Sequence, residues 1–109
     1  MADKAQTWVY TEDYVAESEA LTAARAVATE MGASPVSPGT GAALRMLAAV
    51  SGARAVLEVG TGAGVSGLWL LDGMAADGVL TTIDSESELL GHARRNFAAA
   101  GLSSHRTRL

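Results

Sequence analysis

The sequence predicts an α/β fold in which helices alternate with a parallel sheet, and it predicts only the N-terminal part of that sheet. Three observations lead there. Two short runs rich in Val, Leu, Ile and Thr, "RAVLEVG" and "GVLTTID", are each followed by a helical stretch. The first run hands over to its helix through the glycine-rich turn "GTGAG". A third run, "RTRL", opens where the next strand falls due. Strands that alternate with helices form right-handed βαβ units and hence a parallel sheet. Two strands and the start of a third fall short of the roughly five or six in an average sheet. The expectation is therefore the incomplete, N-terminal half of one larger domain.

The elements follow in order. "MADKAQTWVY" shows no period, so residues 1–10 are expected to form an extended or mobile arm. From Thr11 to Met31 a stripe of Tyr14, Ser18, Leu21, Ala24, Ala28 and Met31 advances in helical steps of three and four. Glu12, Asp13 and Glu17 sit in its first turns, where the helix dipole favours acids, and Gly32 supplies the stop. "ASPVSPGTG" is a loop by its Pro, Gly and Ser content. Ser37 is then an N-cap and Pro38 the first residue of a helix carrying Leu44, Leu47 and Val50 as far as Gly52. Residues 11–52 thus make a helical cap and 53–109 a βαβα core.

In that core, Val56, Leu57 and Val59 are nearly continuous apolar residues, as in a strand buried on both faces. "VSGLWLLDGMA" is apolar almost all round, which predicts a short helix buried on the sheet with Trp69 inside. "GVLTTID" is a strand ending at Asp84. "SESELLGHARRNFAAAG" is a helix with Leu90, Ala93, Phe97 and Ala100 in one stripe. Ser85 with Glu88 three residues on has the form of a capping box, and Gly101 ends the helix.

Composition narrows the function classes. Among 109 residues, 22 are Ala and five are aromatic, so the core is built from Leu, Val and Ala with helices packed closely. A net charge of −4 argues against binding to nucleic acid or to an anionic membrane surface. Arg94, Arg95, Arg106 and Arg108 read as a solvated face. There is no Cys, which excludes disulfides and thiolate metal sites, and His92 and His105 have no partner at metal-ligand spacing. "MADKAQ" lacks the apolar core of a secretory signal, and no apolar run approaches the roughly 20 residues of a membrane span. A soluble cytoplasmic protein is expected.

The chemistry is concentrated in "EVGTGAGVSG", Glu58 to Gly67. Read from Gly62, it is the G-x-G-x-x-G of a dinucleotide site, with Asp84 twenty residues beyond Gly64 to take a ribose. Read from Glu58, it is E-x-G-x-G-x-G. A carboxylate at the strand end would repel the pyrophosphate of a nicotinamide dinucleotide. It would attract S-adenosylmethionine, which has no phosphate but an ammonium and a sulfonium, while the helix N-terminus suits that ligand's carboxylate. The second reading is favoured on this ground. An oxidoreductase using a nicotinamide dinucleotide and a non-catalytic interaction fragment are the alternatives.

"VSPGTGAAL", "VLEVGTGAGVSGLWLL", "DGVLTTID" and "ARRNFAAAGL" together resemble the class I O-methyltransferases of the catechol and caffeoyl-coenzyme A type, especially those of actinobacteria, over residues 11 to 109. The resemblance implies a Rossmann-like methyltransferase fold and methyl transfer from S-adenosyl-L-methionine to a hydroxyl of a small acceptor. It also assigns roles. Val36 would pack on the methionine end of the cofactor, and Glu58 would sit near its ammonium. Gly60 and Thr61 would let the backbone approach it. Ser66 would hydrogen-bond the methionine carboxylate, and Asp84 would take the two ribose hydroxyls. Plainer roles stand beside these: a core valine for Val36, a helix start for Ser66, a cap for Asp84, and a tight turn for Gly62 and Gly64.

In that family a divalent cation lowers the pKa of the accepting hydroxyl, and its ligands and the catalytic base lie after the third strand. No catalytic residue or metal ligand is therefore assigned within this chain, and the chain alone is expected to be inactive. Trp8 and Tyr10 are candidates for closing over a substrate or a second subunit, which would make a homodimer through the N-terminal helices.

Overall fold

The computed structural model describes residues 3–109. In chain order it contains α1 (Lys4–Tyr14), α2 (Glu19–Glu30), α3 (Pro38–Val50), β1 (Ala55–Val59), α4 (Val65–Gly73), β2 (Val79–Ile83), α5 (Ser87–Ala99), a 3-10 turn (Ser104–Arg106) and β3 (Thr107–Arg108). The three strands form one parallel sheet in the order β1-β2-β3. Register pairs Ala55 with Val79 and Val59 with Ile83. These are the expected alternating units of an α/β fold.

The N-terminus departs from expectation. Instead of an arm followed by one helix over 11–31, there are two helices with a break between Tyr14 and Glu19. Each has its own start, because Asp3 accepts the Ala5 amide and Ser18 accepts the Leu21 amide. Arg25 then clamps the break: its Nε and Nη2 reach the two oxygens of Glu17 at 2.7 and 2.8 Å. Tyr14, placed on the apolar stripe by spacing, lies beyond the break and is exposed. Residues 1 and 2 of the expected arm lie outside the described residues.

Helix α3 begins as predicted, with the Ser37 side chain accepting the Thr40 amide and Pro38 in the first turn. Its buried face is not the predicted one. Leu47 and Val50 are exposed, whereas Gly41 and Ala48 are buried. The reason is Trp69, buried on α4. A Cβ on Gly41 would lie 2.2 Å from Trp69 Nε1, and one on Gly73 would lie 2.1 Å from the Arg45 carbonyl oxygen. Small residues win this face because they let α3 and α4 approach closely around the indole.

The sheet is covered on one face. Leu80 and Thr82 of β2 are fully buried, Leu80 in one cluster with Leu68, Leu71 and Phe97. On the opposite face Leu57 is 68%, Val59 79% and Ile83 51% exposed. The expectation of a β1 buried on both faces is thus corrected: its apolar run is present, but α4 and α5 lie over only one side. Helix α5 buries Ala93 and Phe97, with Leu90 half-buried and Ala100 exposed. Its expected capping box does not form. The N-cap is Glu86, without a side-chain bond, and the Asp84 carboxylate takes the Glu86 amide instead. Arg106 is not part of a solvated face either. Its guanidinium donates to the carbonyls of Leu71, Ala75 and Gly78, closing the end of α4 onto the start of β2.

Candidate functional site

The site forms where β1 and β2 end side by side. Past Val59 the chain must leave the sheet and enter α4 within a few residues. It does so through Gly60, Gly62 and Gly64, at φ of 95°, 53° and 95°, a left-handed region in which side chains are strained. Gly60 still donates to the Ile83 carbonyl at 2.8 Å, so the loop leaves directly from the paired strand ends. Gly64 caps α4 without a side chain. The loop's interior is anchored by Thr61, which is buried, and by Asn96 of α5, whose Nδ2 donates to the Ala63 carbonyl at 2.8 Å.

Two carboxylates flank this loop. Glu58 stands opposite Thr82 in the strand register. Its Oε1 accepts the Thr82 hydroxyl at 2.7 Å and its Oε2 the Ser66 hydroxyl at 2.5 Å. Thr82 in turn lies 2.7 Å from the Thr61 hydroxyl. Asp84, just past β2, takes the Glu86 amide on Oδ1 and the Gly62 amide on Oδ2, both at 2.9 Å. These amides hold its carboxyl below the usual carboxylate range. A carboxylate offers about four acceptor positions, so each of these two retains capacity for a ligand.

Two adjoining crevices result. One, of 120 Å³, is lined by Val36, Gly60, Thr61 and Ser66 together with the α2–α3 connection. The other, of 350 Å³, is lined by Val59, Gly60, Ile83, Asp84 and Ser85. Gly60 borders both. The structure therefore gathers Val36, Gly60, Thr61 and Ser66 on one side and Asp84 on the other, with Glu58 joined to the first group through Ser66. Sequence reasoning missed Thr82 and Asn96. A threonine inside a strand at a position that must be buried was the available signal for Thr82, but its partner emerges only from the register. Nothing in the sequence singles out Asn96.

Among the described residues, no group of three or more His, Asp or Glu side chains is placed to hold a metal ion. No helix among them is long and apolar enough to cross a membrane.

The model of the family described as "O-methyltransferase" matches residues 5–107. The chain belongs to the O-methyltransferase family. A Mycobacterium tuberculosis protein named as a probable O-methyltransferase is 57% identical over 102 residues, which are 94% of this chain and 46% of that one. The chain thus spans about half the length of the curated relatives it matches. Among solved structures, the O-methyltransferase TomG of Streptomyces achromogenes, in complex with SAM, matches with a TM-score of 0.86 and 32% identity, over 98% of this chain and 51% of that one. The Bacillus cereus O-methyltransferase in complex with SAH matches with a TM-score of 0.83 and 28% identity, over 95% of this chain and 48% of that one. The fold of this family member is the N-terminal part of a Rossmann-like methyltransferase, and the dinucleotide and interaction-fragment readings gain no support from these relatives.

Proposed function

We propose that this chain is the cofactor-binding half of an S-adenosylmethionine-dependent O-methyltransferase that methylates a hydroxyl of a small acceptor. The observation that carries the proposal is Glu58. Its carboxylate lies near the end of β1 beside the glycine loop, with both oxygens engaged by hydroxyls and, among the described residues, no cationic side chain paired with it. Such a group favours a ligand that brings an ammonium and disfavours one that brings a pyrophosphate. The complexes recorded for the Streptomyces and Bacillus relatives support the same ligand.

The donor set fits that ligand. Glu58 would receive the ammonium, and Ser66 in the first turn of α4 would lie against the methionine carboxylate, where helix amides also favour an anion. Val36 would cover the methionine stem, and Gly60 and Thr61 would keep the backbone close. Asp84 would accept both ribose hydroxyls on the lone pairs its two amides leave open. When bound, S-adenosylmethionine supplies an electrophilic methyl on its sulfonium, which passes to the acceptor oxygen as the thioether leaves. The part of this chain is to bind and orient, and such positioning is a large share of catalysis in bimolecular transfers. A divalent cation and the base that takes the acceptor's proton would be held by residues outside this chain. A cytoplasmic location fits the cofactor, and the exposed Trp8, Tyr10 and Tyr14 of α1 would suit a homodimer contact.

The test is an amide-resolved NMR titration of the isotopically labelled chain with S-adenosylhomocysteine and, separately, with NAD. Binding of the first is expected to be weak and to move the amides of Gly60, Gly62 and Ser66. Shifts confined to other parts of the chain would refute the assignment.

A further inference from the structure

We propose that Thr82 is a positioning residue for the cofactor. Its hydroxyl fixes the Glu58 carboxylate in the orientation that receives the ammonium, and Thr61 fixes Thr82. The inference rests on the cofactor reading given above.

Thr82 is completely buried, on the covered face of β2 next to Leu80. Valine has nearly the same shape and a higher preference for such a place, and a buried hydroxyl without a partner is costly. The hydroxyl is therefore present for what it bonds. It has one proton to give and two lone pairs to accept with. Glu58 when ionised can only accept, so the 2.7 Å contact to its Oε1 uses the Thr82 proton. The 2.7 Å contact with Thr61 must then run the other way, with Thr61 donating to Thr82. The proton order is fixed as Thr61 to Thr82 to Glu58.

The other oxygen of Glu58 takes the Ser66 hydroxyl at 2.5 Å. One hydroxyl comes from the neighbouring strand and one from the first turn of α4, so the carboxylate is held from two elements. Register makes this possible, because Glu58 and Thr82 are paired across the parallel strands and share a face. A carboxylate already held in place by the Thr82 hydroxyl needs no reorientation when a cation arrives. Ser66 would exchange part of its bond to Glu58 for the ligand carboxylate, whereas Thr82, sealed beneath, would remain. Thr82 is thus the constant support and Ser66 the adjustable one.

The experiment compares the full chain with Thr82→Val and Thr82→Ser, using two ligands followed by NMR titration. S-adenosylmethionine carries the ammonium, and 5′-methylthioadenosine has the same nucleoside with a neutral thioether sulfur and no amino-acid part. Thr82→Val is expected to weaken S-adenosylmethionine about tenfold, to leave 5′-methylthioadenosine within twofold, and to be restored by Thr82→Ser. Equal weakening of both ligands, or of neither, would overturn the inference. Wild-type protein that binds neither compound removes the cofactor reading itself, and the inference with it.

A ligand-free measurement decides the contact independently. In urea unfolding, Thr82→Val should lower the folding constant in the Glu58 background and leave it unchanged or raised in the Glu58→Ala background, where the hydroxyl has lost its acceptor. Additive effects would show that Thr82 does not hold Glu58.

Discussion

The Asp84 carboxylate accepts the Gly62 amide at 2.9 Å, tying the end of β2 to the glycine loop that follows β1. With the Glu86 amide on its other oxygen, Asp84 is a bracket for the two turns that frame the site as well as a ligand candidate. The plain cap and the ribose acceptor considered from sequence are compatible roles of one group.

That bracket makes the protein acid-sensitive in a defined direction. The folded-state pKa of Asp84 lies below its ordinary value, so the unfolded chain takes up the proton first. Its contribution to stability is fully present above the unfolded value of about 3.9 and is lost as pH falls through the lower folded value. Asp84→Asn should remove this part of the dependence. Urea unfolding from pH 6 down to pH 2.5 is expected to show a shallower loss of stability for the variant, and parallel curves would contradict the assignment.

Asp84→Ala should act twice. Two amides lose their acceptor and turn to water instead, which is expected to destabilise the chain by about 1 kcal/mol. If Asp84 holds the ribose as proposed, its loss should also weaken S-adenosylmethionine about tenfold or more in a protein that binds it tightly. Thermal unfolding and calorimetric titration check the two effects separately. A destabilised variant with unaltered affinity would leave Asp84 with the bracket role alone.

The sequence made the strands and the loop legible because their signals are local. Three glycines that must adopt positive φ, and an acid at each strand end, are visible as letters. The burial pattern was less legible where it depended on a distant partner. Leu47 and Val50 have helical spacing, yet α3 turns Gly41 inward because Trp69, 28 positions on by sequence number, occupies the groove. The break at Val15–Ser18 was hidden because Tyr14 continues the period of the helix that follows it. It is created by caps and by the Glu17–Arg25 pair, which carry no hydrophobic period. Within the site, Glu58, Ser66 and Asp84 could be nominated one by one. Their connection through Thr82 required the strand register.

The α3–α4 contact gives a stability test away from the site. Gly73→Ala would drive a methyl into the Arg45 backbone carbonyl, and neither helix can move without disturbing the Trp69 packing. Overpacking of this kind typically costs about 1–3 kcal/mol. Gly91→Ala, on a helix where a Cβ meets only the Arg95 side chain at 3.7 Å, should be neutral or stabilising. Chemical denaturation of the two variants should rank them in that order.

The open face of the sheet should govern solution behaviour. Leu57, Val59 and Ile83 form an apolar surface next to an edge of β1 that pairs with no strand among the described residues. Such edges promote association. Leu57→Lys is expected to lower the apparent mass of the chain at high concentration in light scattering while leaving its circular dichroism unchanged. Equal masses for variant and parent would place the association elsewhere or show that there is none.

Glu58 separates the two ligand classes, because one substitution there acts on them with opposite signs. If the site takes S-adenosylmethionine, Glu58→Gln removes the partner of the ammonium, and affinity should fall about tenfold, the usual scale of a lost charge-assisted bond. If the site took NAD, the same change would remove a charge beside the pyrophosphate, and NAD affinity should rise. The measurement is a titration of parent and Glu58→Gln chains with both compounds, read at the Gly60, Gly62 and Ser66 amides. Weaker S-adenosylmethionine binding with no gain for NAD is expected. Tighter NAD binding with unaltered S-adenosylmethionine affinity would make this a dinucleotide site instead.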